Sequence, residues 1–233
     1  MPERRVILVH AGICDSRMWH GFDLPGAIRH ELRGFGQTPL PPAGSFSHAD
    51  DLEAALGAEP AALVGASFGG FVCLQLATTR PQLVSELVVL GAPLFDRTWS
   101  DEILRYQREE DGLLEQGDLR GAAMLNADFW LSDPGPRDRV IEMQERAFEL
   151  QEQSEAEEVG PETLDLGAVT ARTLVGVGEL DKPDFHDIAA RLTREIPAAR
   201  HTLIEGAGHL PPLERPQETA RLVSDFLWAD RSA

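Results

Sequence analysis

The chain has 233 residues, 42% of them hydrophobic, and its formal net charge is −18. This length suits a single α/β domain with one insertion, and the apolar fraction is enough for a sizeable core. The negative charge and the lack of a basic cluster argue against a nucleic-acid partner. No apolar run reaches the roughly 18–20 residues of a membrane span, so we expect no membrane association.

The two cysteines, Cys14 and Cys73, bear on the compartment of the protein. They are too few for a disulfide framework, and no set of residues has zinc-ligand spacing. We therefore expect two free thiols and no metal. The N-terminal sequence MPERRVILVH lacks an apolar region followed by a small-residue cleavage site, so we expect no signal peptide. Together these features predict a cytoplasmic protein.

Short apolar runs alternate with helix-length segments along most of the chain. In chain order, these runs predict strands over 4–10, 27–32, 60–66, 83–92, 171–178 and 199–206. The last segment follows Pro216 with apolar residues at helical spacing, which predicts a C-terminal helix. Continuous apolar strands joined by helical crossovers favour an α/β fold with a doubly wound, mostly parallel sheet of about six strands.

The segment 93–168 interrupts this alternation, because it contains helix-forming and acidic residues and no clear β-run. We predict three helices there, over 98–115, 117–131 and 136–158. Residues 96–165 hold 20 acidic and 7 basic residues, a net charge of −13. A connection this long between two strands is typical of a lid. We therefore predict a core domain of 1–92 and 169–233 with a helical lid over 93–168.

A serine lies at the centre of the motif Gly65-Ala66-Ser67-Phe68-Gly69-Gly70. The motif follows a predicted strand and opens a predicted helix, which is the context of a nucleophile elbow. In such a turn the serine is strained and its neighbours must be very small, as Gly65 and Gly69 are. We therefore predict that Ser67 is a nucleophile.

The nucleophile needs a base, and the chain offers seven histidines. His209 lies in the glycine-rich sequence Glu205-Gly206-Ala207-Gly208-His209, just after the last predicted strand. In serine hydrolases with this elbow the base comes last in the chain order Ser…Asp/Glu…His. We therefore predict that His209 is the base. We expect structural roles for the histidines without such a context, namely His20, His30, His48, His186 and His201.

A carboxylate must orient the base. Asp181 lies in Gly178-Glu179-Leu180-Asp181, just past the end of a predicted strand, from which its side chain could reach His209. We predict that Asp181 is this acid. Three other carboxylates compete for the role: Glu179 and Asp184 belong to the same loop, and Asp96 follows the preceding strand.

Backbone amides must stabilise the oxyanion of the tetrahedral intermediate. One donor should be the amide of Phe68, directly after the nucleophile. The other should come from the loop after the first strand, where Gly12 allows the backbone to approach the substrate closely. We expect His10, in the same loop, to hold the loop in place without transferring a proton.

These motifs together resemble the α/β-hydrolase family, in its lid-bearing branch. The similar pieces run from residue 6 to residue 209 in family order and read LVHAG, LRGFGQT, GASFGG, GELD and GAGH. The resemblance implies a serine hydrolase with no cofactor or metal. It also implies a catalytic triad and two oxyanion donors, which here would be Ser67, Asp181, His209, Gly12 and Phe68.

The chain departs from the family pattern at two points. The usual histidine–glycine pair of the oxyanion loop reads His10-Ala11 here, although Gly12 stays in register. The first strand of this chain also corresponds to the third strand of the family, so we expect the first hairpin to be missing.

The motifs favour a hydrolase that cleaves a neutral, mostly apolar carboxylic ester through an acyl-enzyme. A lactone or carbon–carbon bond hydrolase could use the same triad, and a non-hydrolytic ligand-binding, cyclase or lyase member of the fold is a further alternative. We expect a small-molecule ester or related acyl substrate as the partner, and a monomer or homodimer. A substrate pocket should lie between sheet and lid, lined by some of Ile13, Phe68, Phe95, Trp99, Met124, Phe129, Trp130 and Leu210.

Overall fold

The computed structural model describes residues 5–229. Arg4, where we placed the start of the first strand, lies outside the described residues. Eight strands occur in the described part, in the order β1 (Val6–Val9), β2 (Ile28–His30), β3 (Ala43–Phe46), β4 (Ala61–Ala66), β5 (Val84–Leu90), β6 (Glu155–Glu158), β7 (Arg172–Gly178) and β8 (Ala199–Ile204).

Six of these strands form one sheet in the order β2-β1-β4-β5-β7-β8, and every pair in it is parallel. Each run that the sequence predicted as a strand contains one of the six, so the predicted parallel sheet is confirmed. β4 is buried along its whole length, as expected of a central strand covered by helices on both faces.

Several helices begin at residues with a clear capping side chain or with a proline. At the start of α1, for example, the Ser47 side chain accepts a hydrogen bond from the amide of Asp50. Proline opens the last three helices, where its missing N–H is not needed. The helices are α1 (His48–Leu56), α2 (Phe68–Thr79), α3 (Asp101–Glu115), α4 (Leu119–Trp130), α5 (Arg137–Gln151), α6 (Pro183–Glu195), α7 (Pro211–Glu214) and α8 (Pro216–Trp228).

Two hydrophobic cores cover the two faces of the sheet. Alternate residues of β1 enter them, with Ile7 and Val9 in one core and Val6 and Leu8 in the other. Apolar residues of α2 and α6 complete the first core, and those of α8 belong to the second. The two cysteines are free and buried, one in each core.

The segment between β5 and β7 contains α3, α4 and α5, which confirms the three predicted helices. We call these residues, 101–151, the helical insertion. Its helices α4 and α5 pack into the second core, through residues such as Ala122, Ala127 and Val140. The insertion therefore shares a continuous core with the part of the sheet beneath it.

The third of these helices is shorter than predicted, because it ends at Gln151 rather than at residue 158. The residues that follow form β6, which pairs in parallel with β3. A longer helix would place Glu152, Glu155 and Glu158 at successive i,i+3 positions, where like charges repel. The pairing with β3 spans more than 100 residues of sequence, so no local pattern indicates it.

The edge of the sheet formed by the carboxyl ends of its strands carries the candidate site. Ser67, Asp181 and His209 follow β4, β7 and β8, and the loop of Gly12 follows β1. In parallel sheets of this type ligands bind at this edge, near the point where the strand order reverses. Within residues 5–229, no helix combines the length and the apolar character that a membrane span requires.

Candidate active site

Ser67 lies at the sharp turn between β4 and α2. Its backbone has φ 48° and ψ −121°, in a region that residues other than glycine rarely occupy. The turn is held from both sides, because the Ser67 amide donates to the Leu90 carbonyl at 2.8 Å and its carbonyl accepts from Gly70 at 2.8 Å. A strained backbone that its surroundings enforce is typical of a functional site.

The glycines on either side of the serine are sterically required. A Cβ at Gly65 would lie 2.4 Å from the carbonyl oxygen of Gly69. A Cβ at Gly69 would lie 2.3 Å from the carbonyl oxygen of His10. Since real Cβ atoms do not approach backbone atoms so closely, α2 could not start this near to β1 and β4 with larger residues.

His209 connects the serine to the carboxylate. Its Nε2 lies 2.9 Å from the Ser67 Oγ, and its Nδ1 lies 3.0 Å from each carboxylate oxygen of Asp181. Because a carboxylate only accepts hydrogen bonds, the neutral imidazole carries its hydrogen on Nδ1 and leaves Nε2 free to accept from the serine hydroxyl. The three side chains are thus in the order that nucleophilic catalysis needs.

Backbone hydrogen bonds join the loops after β7 and β8, and they bring Asp181 and His209 into contact. The amides of Glu179 and Leu180 donate to the carbonyls of Ile204 and Ala207 at 3.0 and 2.8 Å. The amide of Lys182 donates to Asp181 Oδ1 at 2.7 Å, which orients the carboxylate toward the ring. Asp181 and His209 are both buried, so solvent does not compete for their hydrogen bond.

The competing carboxylates have other partners. Asp96 forms a two-pronged ion pair with Arg191, and these hydrogen bonds lower the pKa of Asp96. Asp184 accepts from the Ser100 amide, and Glu179 accepts from the Gly206 amide. Among the four candidate acids, only Asp181 contacts the histidine ring.

The two predicted oxyanion donors are neighbours in space. A Cβ built on Gly12 would lie 3.2 Å from the Cβ of Phe68. Phe68 is the first residue of α2, and the amides of a first helical turn have no acceptor within the helix. The helix dipole adds positive potential at the same place. An oxygen bound beside Ser67 could therefore meet both amides.

His10 holds the loop that carries Gly12. It is fully buried, its Nδ1 lies 2.9 Å from the Ala11 carbonyl oxygen, and its Nε2 accepts from the Leu32 amide at 3.1 Å. The ring thus fastens the end of β1 to the loop after β2. This is the structural role that the sequence suggested.

Aromatic rings enclose the imidazole of His209. The Trp130 ring centroid lies 4.4 Å from it, and the Phe185 centroid lies 4.2 Å from it on another side. Trp130 comes from the helical insertion, whereas Phe185 comes from α6. Phe129 and Tyr106 extend the cluster, with stacked rings 4.2 Å apart.

Sequence reasoning missed Phe185 and Tyr106 as parts of this cluster. Phe185 reads as an ordinary apolar position of the amphipathic helix α6. The one local signal that could have indicated its position near the site is its separation of four residues from Asp181. Tyr106 reads as the buried face of α3, and nothing local connects it with Phe129.

The residues predicted to line a pocket do not all lie together. Trp99 and Phe95 continue the aromatic series from Phe185, with successive centroid distances of 5.8 and 6.5 Å. Ile13 is half-buried beside Gly12. Met124, in contrast, lies on α4 with 40% of its surface exposed, and it belongs to neither hydrophobic core.

Leu210 is also separate from the predicted lining, because it is fully buried in the second core. Phe68 contacts a second histidine, His48, for which we predicted a structural role. The ring of His48 packs edge-on against Phe68 at 5.4 Å, and burial lowers the pKa of His48 to about 4. A neutral His48 therefore supports the residue that follows the nucleophile.

Known proteins are similar to this chain over most of its length. The sequence model of the alpha/beta hydrolase family matches residues 6–222. The chain is similar to a 2-hydroxymuconate semialdehyde hydrolase of Pseudomonas putida, with 26% identity over 217 residues, covering 86% of this chain and 76% of that protein. It is also similar to carboxylesterase YbfK of Bacillus subtilis, with 23% identity, covering 95% and 79% of the two chains.

Among solved structures, the fold resembles that of a thermophilic esterase from Thermogutta terrifontis, determined with malate bound. The TM-score is 0.76 and the sequence identity is 25%, and the match covers 97% of this chain and 89% of the other. The similarity thus extends over the core and over the helical insertion.

Proposed function

This chain belongs to the alpha/beta hydrolase family, and on that premise we propose that it is a serine hydrolase that cleaves a neutral, mostly apolar carboxylic ester. The observation that carries the proposal is the continuous hydrogen-bonded line from Ser67 through His209 to the buried Asp181. A serine held in a strained turn against a histidine of fixed tautomer is suited to nucleophilic attack.

In the first half of the reaction, His209 Nε2 takes the proton of Ser67 as the serine oxygen attacks the ester carbonyl carbon. The tetrahedral oxyanion is stabilised by the amides of Phe68 and Gly12. When the intermediate collapses, the bond to the alcohol oxygen breaks and His209 donates its proton to that oxygen. The alcohol leaves, and the acyl group stays on Ser67.

In the second half, water takes the place of the alcohol. His209 removes a proton from the water as its oxygen attacks the acyl carbon, and a second tetrahedral intermediate forms on the same two amides. Its collapse returns the proton to Ser67 and releases the carboxylic acid. Asp181 stays ionised throughout and stabilises the imidazolium that forms twice.

The surroundings of the serine support a neutral, apolar substrate. Aromatic side chains form the environment of His209, and burying a charged group among them would cost desolvation energy. The acidic helical insertion, which we propose acts as a lid, would repel anions that approach the site. A carboxylesterase among the relatives agrees with this substrate class.

A second candidate is a hydrolase that cleaves a lactone or a carbon–carbon bond rather than a simple ester. The relative from Pseudomonas putida, named for hydrolysis of 2-hydroxymuconate semialdehyde, favours this alternative. The first intermediate would still need the oxyanion donors and His209, so the two candidates differ in the substrate rather than in the machinery.

A fluorophosphonate probe tests the proposed machinery, because it reacts covalently with activated serines. We expect one label per chain on Ser67 and none on Ser67→Ala. A panel of neutral p-nitrophenyl esters, lactones and semialdehydes then ranks the substrate classes by kcat/KM. A folded protein that neither reacts with the probe nor hydrolyses any member of the panel would refute the proposal.

A further inference from the structure

Glu214 has a buried carboxylate that accepts hydrogen bonds from two different parts of the molecule. It lies at the end of α7, five residues after His209, and is 5% exposed. Its Oε1 accepts from the Leu210 amide at 3.1 Å. Its Oε2 accepts from the amides of Gly208, Ser132 and Asp133 at 3.2, 3.0 and 3.1 Å, and from the Ser132 hydroxyl.

One group of these donors fixes the backbone of the histidine. Gly208 and Leu210 are the residues on either side of His209, so the carboxylate holds both ends of the short segment that carries the ring. The other side of this segment is packed equally closely, since a Cβ on Gly178 would lie 1.9 Å from the Gly208 carbonyl oxygen. The position of the imidazole is thus set by Glu214 on one side and by the end of β7 on the other.

The second group of donors fixes the helical insertion. Ser132 and Asp133 follow α4 directly, two and three residues after Trp130, whose ring lies against the imidazole. Arg215 strengthens the same connection through an ion pair with Asp133 at 3.2 Å. The carboxylate that positions the histidine therefore also positions the tryptophan that covers it.

The hydrogen-bonding pattern explains why the residue is a glutamate. All five partners are donors, so both side-chain oxygens must accept. A glutamine has the same size, but its NH₂ group would face amide hydrogens at one of the two positions. A buried carboxylate is stable only when it is well hydrogen-bonded, and these donors meet that need.

We propose that Glu214 is a positioning residue that couples the helical insertion to the catalytic histidine, so that the imidazole is correctly placed only when Trp130 covers it. The catalytic part of this inference rests on the proposed function. The coupling itself is a property of the fold, and it can be measured without a substrate.

Glu214→Gln tests the inference with little change in volume, and Glu218→Gln, on the following helix and outside the network, is the matched control. For the ester, we expect Glu214→Gln to lower kcat by about 10–100-fold with KM nearly unchanged, because a small displacement of a catalytic group has effects of this size. The control should keep the kcat of the wild type.

Glu214→Asp separates hydrogen bonding from packing. Aspartate is shorter but keeps two accepting oxygens, so we expect it to retain more of kcat than Glu214→Gln does. A residue that merely filled space would give the reverse order, since glutamine is the closer match in shape. Rates are compared per active site, counted with the fluorophosphonate probe, so that partial unfolding does not enter the result.

Amide hydrogen exchange gives the readout that does not depend on activity. In Glu214→Ala, we expect faster exchange both in the segment 206–210 and in the segment 131–134, because both lose the same acceptor. Faster exchange in only one segment of Glu214→Ala, or a kcat of Glu214→Gln within twofold of the wild type, would overturn the inference. If the wild-type protein shows no hydrolase activity, the proposed function fails, and the exchange measurement still decides the coupling.

Discussion

The core around the sheet and the helical insertion contribute to the site in different ways. The core fixes Ser67, Asp181 and His209 through backbone constraints: a strained turn, glycines that admit no Cβ, and two loops laced by hydrogen bonds. The insertion contributes side-chain surface, chiefly the ring of Trp130 on the imidazole. We therefore propose that the core supplies the chemistry, whereas the insertion selects what reaches it.

Charge separates the two regions as well. Residues 96–165, which comprise the helical insertion and the segments on either side of it, carry a net charge of −13, and the rest of the chain carries −5. The catalytic groups that we propose all lie outside the acidic part. Variants in the core should therefore affect the rate with every substrate, and variants in the insertion should affect one substrate more than another.

The largest effect should come from the nucleophile. Ser67→Ala should lower kcat for a neutral p-nitrophenyl ester on the order of 10⁶-fold, because triad residues act as a unit. The fold should survive, since alanine at φ 48° is no more strained than serine. Steady-state kinetics with circular dichroism checks both points, and Ser224→Ala on α8 is the control. More than a tenth of wild-type activity in the folded variant would exclude Ser67 as nucleophile.

The acid should come next. Asp181→Asn should lower kcat about 10⁴-fold, because an amide favours the wrong imidazole tautomer. Asp96→Asn is the matched comparison, since Asp96 pairs with Arg191 and not with the histidine. We expect Asp96→Asn to lower kcat far less than Asp181→Asn does. If kcat fell more in Asp96→Asn than in Asp181→Asn, the acid would lie after β5 and our assignment would be wrong.

The residues of the core site could be predicted from the sequence because their signals are local. The glycine spacing around Ser67, the strand before it and the helix after it all occur within about twenty residues. Asp181 and His209 follow strands that read clearly as apolar runs. Because the carboxyl ends of parallel strands lie at the same edge of a sheet, the three side chains are expected to lie close together there.

The features that the sequence did not reveal depend on contacts between distant segments. The pairing of β3 with β6 joins residues more than 100 apart, and the acidic sequence Glu155–Glu158 has a low strand propensity, so nothing local predicts a strand there. Glu214 contacts Ser132, 82 residues away. Met124 is an apolar residue of the insertion, yet its side chain is 40% exposed, and this exposure depends on how α4 packs rather than on the local sequence.

A buried histidine of the core should make stability depend on pH. Burial lowers the pKa of His48 to about 4, from an ordinary 6.5. The unfolded chain therefore binds more protons than the folded one between these values, and the free energy of unfolding should fall as the pH drops from about 6.5 to about 4. The contribution of His48 is about 3 kcal/mol over this range.

Urea unfolding of wild type and His48→Leu at several pH values measures this contribution. In His48→Leu, the free energy of unfolding should depend less steeply on pH than in the wild type. Other titrating groups should still cause some pH dependence in the variant. Equal slopes in the two proteins would mean that His48 is not the cause. Above pH 7 the difference in stability between the two proteins reports the packing of the His48 ring against Phe35, Phe46 and Phe68.

The smallest effect should be electrostatic selectivity at the insertion. Lys182, the residue after the acid, lies over the Phe129 ring at 4.2 Å and pairs with Glu102 of α3 at 2.7 Å. Glu102 thus neutralises a cation close to the site. Glu102→Gln should raise kcat/KM for an ester with a free carboxylate about 2–5-fold, as expected for loss of a partly exposed ion pair.

A neutral ester of matched acyl length should respond much less, because it gains nothing from the released charge of Lys182. Glu109→Gln on the same helix is the control, since it removes the same charge without touching Lys182.

Added salt should reduce the difference in kcat/KM between the neutral and the anionic ester, because exposed charges are screened over about 8–10 Å at ordinary ionic strength. Equal effects of the two variants would mean that only the net charge of the insertion matters. A wild type that already prefers the anionic ester would indicate a basic anchor in the site, and Lys182 would be tested before the exposed Arg105, Arg108 and Arg120.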